Sequence, residues 1–233
     1  MSVGYSIPLR FRVSRPVLKA VFRGLFRLFG RVKIVGRGNI PYGEPYIVAI
    51  NHVSIYDPPL VGAFWPEQLE IIGASDVFEK PGQGQILKAY GVIPVHRGDY
   101  DRVLFTKIIS VIKAGFPLLI APEGGRSHVP GMKHAMPGVS YIVEQTHVPV
   151  VPVGVVGTTE DFWQHAKRGE RPALQLHIGK SITLPEITAR GAEKHEARQH
   201  NADLIMNYLA GLLPEEYRGV YARSAILSTQ TDH

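Results

Sequence analysis

Tyr46-Ile47-Val48-Ala49-Ile50-Asn51-His52-Val53-Ser54-Ile55-Tyr56-Asp57-Pro58 reads as an apolar strand that ends in a polar loop and then enters a helix. Residues 46–50 form an unbroken apolar run with β-branched members, the pattern of a strand covered on both faces. The loop after it brings His52 and Asp57 together, five residues apart. An imidazole of ordinary pKa, ~6.5, can take a proton at cellular pH, and a carboxylate on its other ring nitrogen fixes the tautomer and stabilises the imidazolium. The same residues fit a second reading, in which Asp57 is an N-cap and Pro58 the first residue of a helix through residue 65. The two readings are compatible, because a capping carboxylate has a second oxygen free for a histidine.

Outward from this stretch, short apolar runs rich in Val and Ile predict further strands at residues 69–72, 92–95, 118–121, 148–156 and 174–178. Between them lie helical patterns at 83–90, at 100–114 closed by Gly115, and at 139–145, with another from 188 to 213. Alternating strands and helices predict an α/β fold: a single domain with a mostly parallel mixed sheet and helices on both faces. The run Pro149-Val150-Val151-Pro152-Val153 has two residues that cannot donate ladder bonds, which predicts a place at an edge or strand end.

A chain of 233 residues with 45% hydrophobic content can bury a substantial core. It has no cysteine, which excludes disulfides and thiol nucleophiles. No run of 18 apolar residues suggests a membrane span, and the N-terminal stretch lacks the uninterrupted apolar core of a signal peptide. The net charge of +6 is unevenly distributed: residues 1–43 carry nine Lys or Arg and no acid, leaving 17 of the 26 basic residues against all 20 acidic ones. In that segment Val17, Leu18, Val21, Phe22, Leu25, Leu28 and Phe29 recur at helical spacing, while Arg15, Lys19, Arg23, Arg27 and Arg31 step by four along another side. A helix with one apolar and one cationic face suits an anionic bilayer surface, and also an ordinary helix packed on the core. No nucleic-acid module is recognisable, and no nucleic-acid partner is expected. The expected organisation is a basic amphipathic membrane-associating segment at 1–33, a catalytic domain at 34–215 and a tail at 216–233.

Two further segments follow predicted strands, where ligands bind in open α/β sheets. Gly91-Val92-Ile93-Pro94-Val95-His96-Arg97 sets an arginine beyond a strand, and Ala121-Pro122-Glu123-Gly124-Gly125-Arg126-Ser127 adds a carboxylate, two glycines and a second arginine. Guanidinium groups give bidentate bonds to phosphate, and glycines let backbone N–H groups approach an anion. Taken singly, Arg97 is equally a surface partner of Asp99, and Glu123 a structural acid.

The order of four blocks resembles the glycerolipid acyltransferase family, which contains the 1-acylglycerol-3-phosphate acyltransferases of PlsC type. The blocks are Asn51-His52 with Asp57, Gly91-Val92-Ile93 with Arg97, Pro122-Glu123-Gly124-Gly125-Arg126-Ser127, and Val148-Pro149-Val150 with Pro152; the resemblance spans roughly residues 34–180. It implies transfer of a fatty acyl group from acyl-CoA or acyl-carrier protein, as co-substrate, to a hydroxyl of a lysophospholipid, with no cofactor and no metal. On this resemblance His52 is the general base and Asp57 its orienting partner. Arg97, Glu123, Gly124, Arg126 and Ser127 bind the acceptor. The expected location is the cytoplasmic face of the cell membrane, peripheral or monotopic. Ala121 stands where the family has an aromatic residue and Gly125 where it has threonine, which bears on the acceptor; another lyso- or glycolipid is the alternative. Ser54 offers a rival scheme as an acyl-carrying nucleophile, although it lacks the Gly-x-Ser-x-Gly setting. A non-catalytic lipid-binding protein of the same fold is a further alternative, against which the His–Asp pair argues.

Overall fold

The strand Ile47–Ile50 is buried at every residue and lies at the centre of a seven-stranded sheet. The structure, a computed structural model, describes residues 5–96 and 101–223. In chain order its elements are α1 (Leu9–Phe29), β1 (Arg31–Val35), β2 (Ile47–Ile50), α2 (Asp57–Phe64), β3 (Glu70–Ala74), α3 (Gln83–Tyr90), β4 (Ile93–Val95), α4 (Arg102–Lys113), β5 (Leu118–Ile120), α5 (Gly138–Thr146), β6 (Val150–Val156), α6 (Phe162–Lys167), β7 (Ala173–Ile178), α7 (Gly191–Gly211) and α8 (Glu215–Arg218). The strand order is β1-β7-β6-β2-β5-β3-β4. From β6 to β4 every neighbouring pair is parallel; β7 is antiparallel to β6, and β1 follows β7 in parallel. The α/β fold with one mostly parallel mixed sheet is therefore as expected.

Strand side chains alternate between two apolar layers. Ile47, Ala49, Leu118, Ile120 and Val150 face a layer with α4, α5 and α7, whereas Val48, Ile50, Leu119, Val151 and Val153 face one with α1, α2 and Phe162. The chain leaving β2 thus enters a helix on one face, and the chain leaving β5, its neighbour, enters a helix on the other. Their ends diverge at a topological switch point, where an open α/β sheet leaves a crevice.

The proline-bearing strand is not at an edge. β6 lies between β7 and β2, and six of its seven residues are buried. Pro152 is tolerated there because it falls between the Val153↔Ile178 pair and the isolated Val150↔Ile182 bridge, where the partner chain bulges away. Its carbonyl still accepts from Gly179 N–H at 2.9 Å, so the ladder loses a single donor. β1 and α6 carry no strong sequence signal: β1 has only a shallow alternation at the sheet edge, and α6 is six residues long.

Of the two placements that the sequence leaves open for α1, the ordinary one, with the apolar side on the core and the cations outward, does not hold for its principal cations. Arg15 is buried in a bidentate pair with Glu70, Nη1 to Oε1 at 2.5 Å and Nη2 to Oε2 at 2.9 Å. Lys19 Nζ donates to Pro66 O and Glu67 O, and Arg23 donates to Ala63 O at the end of α2. The cations thereby neutralise the carbonyl-rich C-terminus of α2, which needs such donors. Leu9, Val13, Val17, Val21 and Leu28 face outward instead, each more than half exposed. Among the described residues no helix is long and apolar enough to cross a membrane.

Candidate active site

His52 follows the end of β2 and is held at three points. Its Nδ1 lies 2.9 Å from Asp57 Oδ2. Its backbone N–H donates to Glu123 Oε1 at 2.8 Å, and its carbonyl accepts from Ser127 N–H at 2.8 Å. The third sequence block therefore grips the backbone of the first, across the switch point between β2 and β5. Asn51 does the same on the other side: its side chain accepts from Val155 N–H at 2.7 Å and donates to Val155 O at 2.9 Å, tying β2 to β6.

Asp57 is fully buried. Oδ2 takes the N–H of Ser54 at 2.8 Å as well as the imidazole, and Oδ1 accepts the hydroxyl of Thr158. This settles what the carboxylate does locally. The next two residues, Pro58 and Pro59, have no N–H, and the first helical amide beyond them, Leu60 N–H, already bonds Tyr56 O at 2.9 Å. Asp57 is the first residue of α2 and caps none of its amides; its bonds go to the loop, the imidazole and Thr158.

Ser54 is also fully buried, and its Oγ accepts from Tyr56 N–H at 3.1 Å. Its hydroxyl organises the loop and has no access to a substrate, which speaks against the acyl-serine scheme.

Glu123 is 5% exposed. Besides the His52 amide it accepts from Lys133 N–H at 2.8 Å, so both carboxylate oxygens are occupied by backbone donors. Burial pushes its pKa above the ordinary glutamate value, against the lowering effect of those donors. Gly124 has φ +67°, and a Cβ there would meet Met136 Cγ at 2.9 Å, so glycine suits this turn and a side chain would strain it. Arg126 Nη1 sits 3.5 Å from Glu160 Oε1, a carboxylate shared with His128 Nδ1 at 2.7 Å. Arg97 lies outside the described residues. Of the expected site residues, His52, Asp57, Glu123, Gly124, Arg126 and Ser127 converge on one end of the sheet, but Glu123 and Ser127 face the backbone of His52.

The sequence reading passed over Asn51 and Thr158 as site residues. Thr158 lies two residues beyond β6, at the sheet end where ligand-binding loops gather, and that position is the signal that was there to be read. It is aimed at Asp57 by the turn at Gly157, φ +90°, where a Cβ would meet Ala173 O at 1.9 Å.

With Nδ1 taken, Nε2 of His52 makes no hydrogen bond among the described residues, and the imidazole lines a recess of about 110 Å³. Ile50, Ile71, Leu119 and Val95 form its apolar wall, with Gly124 and Gly125 beside the histidine. Pro58 and Ile71 also border a second recess, about 60 Å³, whose lining of α1, α2 and α3 side chains includes Leu18, Phe22, Ile86 and Leu87.

Fold and site together define an α/β-sheet protein with a histidine–carboxylate pair at a sheet-end crevice, the histidine presenting one free ring nitrogen to an apolar hollow. Residues 31–156 match the family model described as Acyltransferase, and the chain belongs to that family. It is 26% identical over 156 residues to human 1-acyl-sn-glycerol-3-phosphate acyltransferase alpha, covering 65% of this chain and 55% of that protein. It is 25% identical over 162 residues to 1-acyl-sn-glycerol-3-phosphate acyltransferase of Saccharomyces cerevisiae, covering 67% and 53%. The chain spans about half the length of the curated relatives it matches. Its fold resembles the crystal structure of the 1-acyl-sn-glycerophosphate (LPA) acyltransferase PlsC from Thermotoga maritima, with a TM-score of 0.59 over 82% of this chain and 78% of that one, at 21% identity.

Proposed function

We propose that the protein transfers a fatty acyl group from a thioester donor, acyl-CoA or acyl-carrier protein, to a hydroxyl of a lysophospholipid. The acceptor in this reading is 1-acylglycerol-3-phosphate, and the product phosphatidic acid. The observation that carries it is the state of His52: held by its N–H, its C=O and Nδ1, it keeps only Nε2 free, at the wall of an apolar hollow. Nε2 accepts the hydroxyl proton as the oxygen attacks the thioester carbonyl, and returns that proton to the departing thiolate when the tetrahedral intermediate collapses. Asp57 stabilises the imidazolium in between.

Arg126, with Arg97, takes the acceptor phosphate, which displaces Glu160 from Arg126. Gly124 keeps the turn open to the substrate. Glu123 and Ser127 contribute by fixing the backbone of His52, which supplies positioning. The acyl chain lies in the apolar hollow and extends past Pro58 and Ile71 toward α1. The outward apolar side chains of α1 and the flanking arginines support peripheral or monotopic attachment at the cytoplasmic face of a membrane.

Thiol release from acyl-CoA, with and without 1-acylglycerol-3-phosphate, tests the reaction, and mass analysis of the lipid product identifies the acceptor. Acceptor-dependent release that vanishes in His52→Ala is expected. No release with any acyl donor and any lyso-acceptor would leave the chain a lipid-binding protein.

A further inference from the structure

At the C-terminal end of α1 four arginines, Arg27, Arg31, Arg37 and Arg171, line a recess of about 320 Å³ that has no acidic residue in its wall. Arg171 is committed: it donates to the carbonyls of Arg27 at 2.7 Å and Gly30 at 3.4 Å, capping the helix end. Arg27 stacks over the ring of Phe64, its guanidinium carbon 5.6 Å from the centroid. Among the described residues neither Arg27, Arg31 nor Arg37 has a carboxylate partner. The acid nearest in sequence, Glu170, is taken by His165 and Arg168. Four like charges drawn around one hollow repel one another, and an anion seated there would relieve that repulsion.

The place of the recess narrows the kind of anion. Arg31 pairs with Ala173, and β7 runs antiparallel to β6, so Arg31 and Arg171 lie at the sheet end where β6 leads to Thr158. α6 stands between this recess and the His52 loop, with Phe162 against Phe26 and Tyr56. The recess thus runs along the edge strand β1, from Arg31 and Arg171 at the active-site end to Arg37 beyond the other end of the strand, and is distinct from the active site. Its wall includes Arg27, next in sequence to Leu28, and Leu28 belongs with Val17 and Val21 to the outward apolar side chains of α1, each more than half exposed. A phosphate ligand beside an apolar strip has the layout of a lipid: charge at the headgroup, hydrocarbon next to it.

We propose that this recess is a phosphate site, separate from the catalytic one, that takes the headgroup of an anionic phospholipid in the bilayer on which the protein sits. Guanidinium forks match phosphate oxygens, and Arg27, Arg31 and Arg37 have their donors available. The proposal rests on the membrane-surface reading above and deepens it, by replacing a diffuse positive charge with a built site.

The test uses the full chain and flotation with vesicles of phosphatidylcholine, with and without phosphatidylglycerol. Each basic group near an anionic surface is worth about fivefold in binding. Arg37→Gln should therefore weaken binding to the phosphatidylglycerol vesicles about fivefold and the Arg31→Gln/Arg37→Gln pair on the order of twentyfold. Binding to pure phosphatidylcholine, the melting temperature, and turnover on soluble short-chain substrates should not move. A control pair of equal charge change on the opposite face of the sheet, Lys113→Gln on α4 with Lys194→Gln on α7, should have little effect. An equal loss in the control pair, or none in the arginine pair, overturns the site. A raised KM for acyl-CoA with unchanged vesicle binding overturns it in favour of a site for the phosphates of the donor. If the wild type floats with neither vesicle, the membrane reading itself fails, an outcome distinct from the other three.

Discussion

The Thr158 hydroxyl donates to Oδ1 of Asp57, the carboxylate oxygen that does not face His52. A fully buried carboxylate must have its lone pairs met from within, and here the segment after β6 supplies through one side chain what the loop of β2 cannot. The orientation of the imidazole is thereby linked to a segment 101 residues further along the chain. Thr158→Val removes the hydroxyl at nearly constant volume and strands Oδ1, at a cost of about 1–3 kcal/mol in stability. Turnover should fall about tenfold or more, because the carboxylate is then free to rotate away from Nδ1. Thr158→Ser restores the donor and should recover most of both quantities. Chemical denaturation and thiol release measure the two; a valine variant with wild-type turnover would show that Thr158 merely fills space.

His52→Ala should lower acyl transfer by about 10² to 10⁴-fold with little change in thermal stability, the usual contribution of a positioned base. Asp57→Asn tests orientation, since the introduced amide can present N–H toward Nδ1, which moves the ring proton onto Nε2, the atom required to accept. Its loss should approach that of His52→Ala. Ser54→Ala should retain turnover within about tenfold, since the hydroxyl is buried and serves the Tyr56 amide. A dead Ser54→Ala variant of native stability would revive the acyl-serine route.

Glu123 gives a pH signature. Its folded-state pKa is raised, with burial the leading cause, so between the unfolded and folded values the native state holds the extra proton. Unfolding then releases protons, and the stability from this group is fullest below its unfolded pKa and declines as pH rises through the folded one. The stability of the wild type relative to Glu123→Gln should therefore fall from about pH 4.5 toward neutrality, as followed by denaturation at several pH values. A relative stability that instead rises over this range would mean that the two backbone donors outweigh burial. Turnover in Glu123→Gln should fall although the residue need not touch substrate, because the introduced amide cannot accept at both the His52 and the Lys133 N–H.

Much of the fold is written locally. Residues 46–50, 118–120 and 150–156 are apolar runs of strand length, and the structure places each of them in the interior of the sheet. The rank of a strand within the sheet is not local, and this is why Pro152 misled: a missing donor bars a central place only where the partner has an acceptor to fill, and opposite Pro152 the partner bulges. The site was legible as residue types in order, but not as roles. Glu123 and Arg126 lie in one turn of the chain, and nothing in their spacing tells that one turns to the His52 amide and the other to Glu160. Asn51 and Thr158 act across strands more than a hundred residues distant in sequence, a relation that only tertiary pairing creates.

The orientation of α1 gives the last prediction, because the sequence leaves open which side of it meets the domain and the fold turns the principal cations inward. Arg15 and Glu70 are 1% and 0% exposed, and truncating one partner of such a pair leaves an uncompensated buried charge, at a cost of about 3–5 kcal/mol. Arg15→Ala should therefore lower the denaturation midpoint sharply, whereas Arg15→Met with Glu70→Leu removes both charges together and should recover much of the loss. Lys19→Glu and Arg23→Glu should also destabilise, since each basic group donates to carbonyls around the end of α2. Val13→Asp and Val17→Asp, on the exposed strip, should leave the midpoint nearly unchanged and reduce vesicle binding. The opposite pattern, with the lysine and arginine variants stable but unbound and the valine variants unfolded, would mean that α1 packs through its apolar strip. The two sets of variants thus separate what holds α1 to the domain from what it offers to a bilayer.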